Sequence, residues 1–318
     1  MLVALLWGIN FVSIDVGLAT VPPLVFLAIR FVLVAFPAIL FVPRPAVPIR
    51  RLVAIGLCSS LGQFALLYVA LHLGMPPGLA SLVLQAQVVF TVLIAAGVLR
   101  ERPTARQSTG IVVALLGLGA IVASHWTGAG WLPIVVTIGA AGSWALGNVL
   151  TRAAGVRGGL GVVVWSAPVV PVPALALALI VDGPRALVRT VEGFGPAALA
   201  STVYTVVFAS LVGYTLWNGL LARNPAARVT PFALLVPVVG LLAAWIAFGE
   251  APSVLDLVAG AVMITGIAVA TLRGRPARVP AAPPKAVSGE HPRSSGMRSS
   301  AERSDGGRHR GSSSSPQV

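Results

Sequence analysis

The chain reads as long apolar runs separated by short breaks that collect arginine, proline and glycine. The most informative run is Met75 to Glu101, MPPGLASLVLQAQVVFTVLIAAGVLRE. Its Met-Pro-Pro-Gly opening ends one helix and begins another. About 21 residues without a charge follow, enough to cross a bilayer core of about 30 Å. The run closes on Arg100-Glu101-Arg102, an interfacial anchor. Comparable runs lie at 2–19, 24–42, 52–72 and 107–124, and again at 131–151, 161–181, 196–221, 229–248 and 254–272. The pattern predicts an all-α polytopic membrane protein with ten transmembrane helices.

The runs fall into two sets of five. A displacement of 149 residues carries Glu101 onto Glu250, Pro103 onto Pro252 and Ser81 onto Thr230. Trp7 and Trp144 take similar places in the first run of each set. We read a duplicated unit, with one copy at 1–124 and the other at 131–272. Five is odd, so the copies enter the membrane in opposite orientations. The arginines agree. Breaks after even-numbered runs carry Arg44, Arg50 and Arg51, then Arg100, Arg102 and Arg106, then Arg152 and Arg157, then Arg223 and Arg228. Breaks after odd-numbered runs carry only Arg185 and Arg189, offset by Asp182 and Glu192. The positive-inside rule then puts both termini in the cytoplasm. Two inverted five-helix repeats are the plan of many secondary transporters, whose substrate site lies near the midplane between the repeats.

Composition agrees with the pattern. The 318 residues are 57% hydrophobic and 10% charged, with a mean hydropathy of +0.92, outside the range of soluble domains. The formal charge of +13 does not point to nucleic acid. Nine of the 22 basic residues lie after the last run, in 273–318, a Pro, Arg, Ser and Gly-rich tail expected to be disordered. Most of the others flank runs. The single cysteine, Cys58, allows no intrachain disulfide and no cysteine-rich metal site. The runs hold no zinc-protease motif, nucleophile elbow, Walker loop or carboxylate cluster. We therefore expect neither an enzyme nor a cofactor, with a small-molecule substrate and the lipid bilayer as partners and no nucleic acid.

What the runs offer instead is uncharged polar and aromatic groups at middle depth. Trp144, Asn148 and Thr151 form one helical stripe, and Ser210, Tyr214 and Trp217 another. With Trp7, Asn10 and Gln63 they can surround a small polar solute. The alternative for each is a packing face or a helix–helix hydrogen bond. Gln85 shares a face with Ser81 and Gln87 a different face with Thr91, so one glutamine is expected to line a cavity while the other bonds a neighbouring helix. Gly110, Ala114 and Gly117 form a small-residue face for close helix packing. Arg30 is the one arginine well inside an apolar run. Asp15 and Arg30 fall at similar depth on consecutive antiparallel spans, so we expect an ion pair closing the first hairpin; the rival role for Asp15 is a proton-coupling carboxylate. An unpaired charge of this kind costs about 2.5–3.5 kcal/mol at a helix centre.

MPPGLASLVLQAQ (75–87) resembles the signature region of the O-acetylserine/cysteine exporters, in the EamA family of the drug/metabolite transporter superfamily. RFVLVAFPAILFVPRP (30–45), GSWALGN (142–148), VVWSAPVVPVP (163–173) and LLVPVVGL (234–241) resemble further parts of that family. The resemblance covers about residues 1–272. It implies an inner-membrane secondary transporter that exports small neutral amino acids of the cysteine and O-acetylserine type. A broad efflux carrier for apolar compounds or aromatic amino acids is the runner-up. A membrane-embedded enzyme or scaffold is the rival of another class.

Overall fold

A computed structural model describes residues 1–100, 103–124, 131–155, 160–223 and 230–271. The basic tail predicted for 273–318 lies outside the described residues. Among them every element is helical. Seven helices among the described residues are long and apolar enough to cross a membrane. They are α2 (Pro23–Phe41), α3 (Ile49–His72), α4 (Pro77–Val98), α5 (Ala105–Ser124), α6 (Trp131–Ala153), α9 (Pro196–Trp217) and α11 (Val254–Thr271). An eighth, α7, is a pair of segments, Leu160–Val169 and Pro171–Val181, bent by 42°. Two shorter apolar helices, α1 (Leu2–Leu18) and α10 (Phe232–Phe248), complete the bundle. The break expected after 181 instead holds an amphipathic helix, α8 (Arg185–Gly193).

Prolines set many of the starts. Pro23, Pro77 and Pro196 occupy first-turn positions, where a missing N–H costs nothing and φ is already helical. Helix α10 stops at Gly249, whose φ of 71° gives the left-handed cap and whose N–H donates back to Trp245 O.

The distribution of side chains is that of a protein dissolved in lipid. Large aliphatic groups point outward: Ile246 is 83% exposed and Ile180 77%. Asn10, Arg30, Gln63, Gln85 and Ser210 are buried instead. Water would favour the reverse; hydrocarbon requires it, because polar groups must find partners or a wet cavity inside the bundle. Most threonine hydroxyls on the helices donate to a carbonyl four residues earlier, as Thr91 does to Gln87 O, Thr137 to Pro133 O and Thr202 to Ala198 O.

Packing follows a rule of exchange between the two halves. Helix α1 packs on α10 and α6 packs on α4; α1 packs on α9 and α6 on α3. Helices α2 and α7, α4 and α10, and α5 and α11 pair directly. The most extensive contact is α5 on α11, through the small-residue face. A Cβ on Gly117 would sit 2.5 Å from Met263 N and 2.7 Å from Ala259 O, and one on Gly110 2.5 Å from Ala270 N and 2.6 Å from Gly266 O. Residues 110, 114 and 117 displaced by 149 are 259, 263 and 266, so this contact repeats its own residues under the exchange.

Irregular backbone also occurs in pairs. Seven residues of α3, Gly56–Gly62, and nine of α9, Tyr204–Val212, are wound as π-helix. The centres of the two stretches, residues 59 and 208, are again 149 apart. Helix α4 is interrupted between Val83 and Ala86, where Gln85 N–H and Val88 N–H reach carbonyls only three residues back. π turns are rare, and they concentrate at functional sites.

Candidate functional site

The irregular segments border one cavity of about 400 Å³, within the size range of small-ligand sites. It is bounded by α1, α2, α3, α4, α6, α7, α9 and the start of α10. Trp7, Asn10, Gln63, Trp144, Asn148 and Tyr214, all expected to meet substrate, line it, and so do both Gln85 and Gln87. Thr151, Ser210 and Trp217, the remaining members of the two stripes, line it as well.

One wall is aromatic. The Trp7 ring centroid lies 5.3 Å from that of Tyr214 and 5.5 Å from that of Trp217. The Trp7 indole N–H donates to Ala209 O at 3.0 Å, so α1 is tied to the π-helical part of α9. Gly213 makes room for that ring: a Cβ there would fall 2.6 Å from Trp7 Nε1.

A second wall is built of amides. Asn148 Nδ2 donates to Gln87 Oε1 at 2.9 Å, and Gln85 Nε2 donates to Ala233 O at 3.4 Å. The expectation that only one glutamine faces the cavity needs correction, since both line it and both bond a neighbouring helix. The reason is the interruption of α4 at these residues, which a wheel drawn for a continuous helix ignores. Asn10 and Gln63 have no hydrogen-bond partner among the described residues, and Asn10 Oδ1 is fully enclosed.

Arg30 is 2% exposed and forms part of the same lining. Its Nη1 donates to Tyr68 OH at 3.0 Å and its Nη2 to Ser210 Oγ at 3.1 Å. Its guanidinium carbon lies 4.3 Å from the Phe64 ring centroid, a cation–π distance. The Ser210 hydroxyl is itself fixed by donating to Thr205 O across the π stretch.

The expected ion pair between Asp15 and Arg30 does not form; Arg30 is turned to Tyr68 and Ser210. Equal depth did not imply proximity, because the first two helices barely touch. Helix α1 packs on α10 and α9, while α2 packs on α7 and α3. Asp15 instead acts on Glu250, just past α10: partial burial, and then the nearby Asp15 charge, hold the Glu250 carboxyl above its ordinary value of 4.5.

Sequence reasoning missed Arg30 as a cavity residue, together with Phe31, Ser59 and Phe64. Its isolation inside an apolar run was the available signal. Its partners lie 38 and 180 positions away, which no local pattern reveals.

Comparison with known proteins places this architecture. A "Probable amino-acid metabolite efflux pump" of Escherichia coli (strain K12) is 40% identical over 277 residues, covering 84% of this chain and 91% of that protein. A "Probable terminal-alkyne amino-acid exporter" of Streptantibioticus cattleyicolor is 32% identical over 229 residues, covering 69% of this chain and 72% of that one. One solved structure matches 85% of this chain and 94% of its own with a TM-score of 0.58 at 22% identity, a likeness of fold alone. The EamA-like transporter family matches twice, over residues 1–123 and 131–272. With those two matches spanning the whole helical bundle, the chain is a multi-pass membrane protein belonging to the EamA-like transporter family.

Proposed function

We propose that this chain is a secondary exporter of small neutral amino acids and related metabolites, of the cysteine and O-acetylserine type, in the bacterial inner membrane. The observation that carries the reading is the cavity: amides, indoles and one guanidinium enclosed by helices of both halves, inside a bundle whose outer surface is apolar. A zwitterion can be held by such partners, amide and aromatic groups with one cation for its carboxylate. The relatives' names, which speak of amino-acid efflux, support the substrate class. Trp7, Asn10, Gln63, Gln85, Gln87, Trp144, Asn148 and Tyr214 are its proposed contacts. The test is growth of expressing cells in toxic excess cysteine, with thiol measured in the medium. Protection and extra thiol are expected; their absence would remove the cysteine-type substrate. The aromatic rings of the lining, Trp7, Trp144, Tyr214 and Trp217 among them, favour a second reading, export of aromatic amino acids. Phenylalanine accumulation in the medium without thiol would select it.

We further propose ten crossings in two inverted repeats, 1–124 and 131–272, with both termini cytoplasmic. Adding α1 and α10 to the eight longer spans gives that number. The two family matches, the exchange rule of the packing and the spacing of the π stretches all support it. Reporter fusions after Arg51 and Arg273 should read cytoplasmic, and one after Gly128 periplasmic. An active periplasmic reporter after Arg273 would overturn the topology.

A further inference from the structure

We propose that Arg30 is the residue that takes the carboxylate of the transported solute, and that the Asn10 side-chain oxygen takes its ammonium group. This rests on the reading of the cavity as an amino-acid site. Four observations carry it.

First, Arg30 is the only charged residue lining the cavity among the described residues, and it has no ion pair there. Arginine stays protonated in proteins, so the wall carries a full positive charge in a poor solvent. Two hydroxyls and the Phe64 ring stabilise that charge without neutralising it. Such a site favours an anion or the anionic end of a zwitterion.

Second, the donors are only partly used. A guanidinium has five N–H groups. One goes to Tyr68 and one to Ser210, and Nε has no partner. Enough donors remain for a two-pronged grip on a carboxylate, the geometry arginine offers and lysine does not.

Third, the cavity holds an orphan of the opposite kind. Asn10 Oδ1 is an enclosed acceptor without a donor. An enclosed unpaired polar atom is costly, and the costs at Asn10 and Arg30 are relieved together by a ligand that brings one acceptor group and one donor group. An α-amino acid, with its carboxylate and its ammonium group, is such a solute.

Fourth, Arg30 is held rather than merely tolerated. Tyr68 OH and Ser210 Oγ fix its plane from two different helices, and Ser210 is fixed in turn by Thr205 O. This is how a binding group is preorganised.

The test uses the purified full chain in detergent and the fluorescence of its cavity tryptophans. The probes are L-cysteine and L-phenylalanine, each as the free acid and as the amide. The amide keeps the ammonium group and removes the carboxylate. We expect at least one free acid to bind about 10- to 100-fold more tightly than its amide. Arg30→Gln should erase that preference, and Arg30→Lys should keep part of it. A merely structural role would weaken acid and amide alike and leave their ratio unchanged. Equal binding of acid and amide by the wild-type protein overturns the proposal, and so does failure of both acids to bind. If the Arg30 variants do not fold, the wild-type acid-to-amide ratio still decides. The two levels of the reading also separate. Export in cells with no acid-over-amide preference sinks the Arg30 assignment and leaves the exporter. Carboxylate-dependent binding without export sinks the exporter and leaves Arg30.

Discussion

Leucine in place of Gly117 is expected to eliminate folded protein from the membrane. Even the first carbon of the new side chain would lie 2.5 Å from Met263 N and 2.7 Å from Ala259 O. Those atoms belong to the α11 backbone, which has no rotamer to change. The two helices would have to separate along most of their length, and α5–α11 is the most extensive helix contact in the bundle. Overpacking typically costs about 1–3 kcal/mol, and more where backbone meets backbone. A leucine here should exceed about 3 kcal/mol, a large part of a marginal stability. The measurement is the monodisperse peak on size exclusion in detergent, with its thermal midpoint. Gly119→Ala is the control: it lies on the same helix, exposed, with nothing within 4 Å of its added carbon. A Gly117→Leu protein with the wild-type profile would mean the helices are not in contact there.

Trp7→Ala should have the second-largest effect, and a different signature. It removes two ring contacts and the bond to Ala209 O, and it enlarges the cavity. Truncation of a large aromatic costs about 3–5 kcal/mol. Trp7→Phe keeps one aromatic ring but loses the pyrrole half and its N–H, so it should fall between. Both stability and transport per folded molecule should drop for alanine, because α1 loses its tie to α9. Transport per molecule at the wild-type level would confine Trp7 to a packing role.

The parts of this molecule that were legible in the sequence share a physical cause. Helical spans follow from solvent: about 20 apolar residues in a row have one stable arrangement in a bilayer. The Gly110–Ala114–Gly117 face was legible because glycine at helical spacing has little use except close approach. The stripes were legible because Trp144, Asn148 and Thr151 lie on one regular helix, and Tyr214 and Trp217 lie on the regular helix that follows the π stretch, with Ser210 near the end of that stretch. The failures lie where regular geometry fails. Gln85 and Gln87 sit at an interruption of α4, so the wheel assigned them different surroundings. Ser59 and Ser60, and likewise Gln63 and Phe64, are adjacent pairs that both reach the cavity, in or beside a π stretch that a helical wheel cannot represent. Arg30 failed for another reason: its neighbours are decided by which helices pack, a property of the whole chain.

The threonines that bond their own helices carry a final consequence. A hydroxyl closed onto a carbonyl four residues back has no proton left to donate to lipid or cavity, only its methyl group and an acceptor oxygen. Thr151 lines the cavity, yet its proton is committed to Gly147 O, and Thr91 is committed in the same way to Gln87 O. The chemical vocabulary of the interior is therefore much smaller than its residue names suggest. Without the threonines, the donors of the lining are a few amides, indoles, serine and tyrosine hydroxyls and one guanidinium. A solute entering the bundle meets few competing partners, so each remaining group weighs heavily in what is admitted.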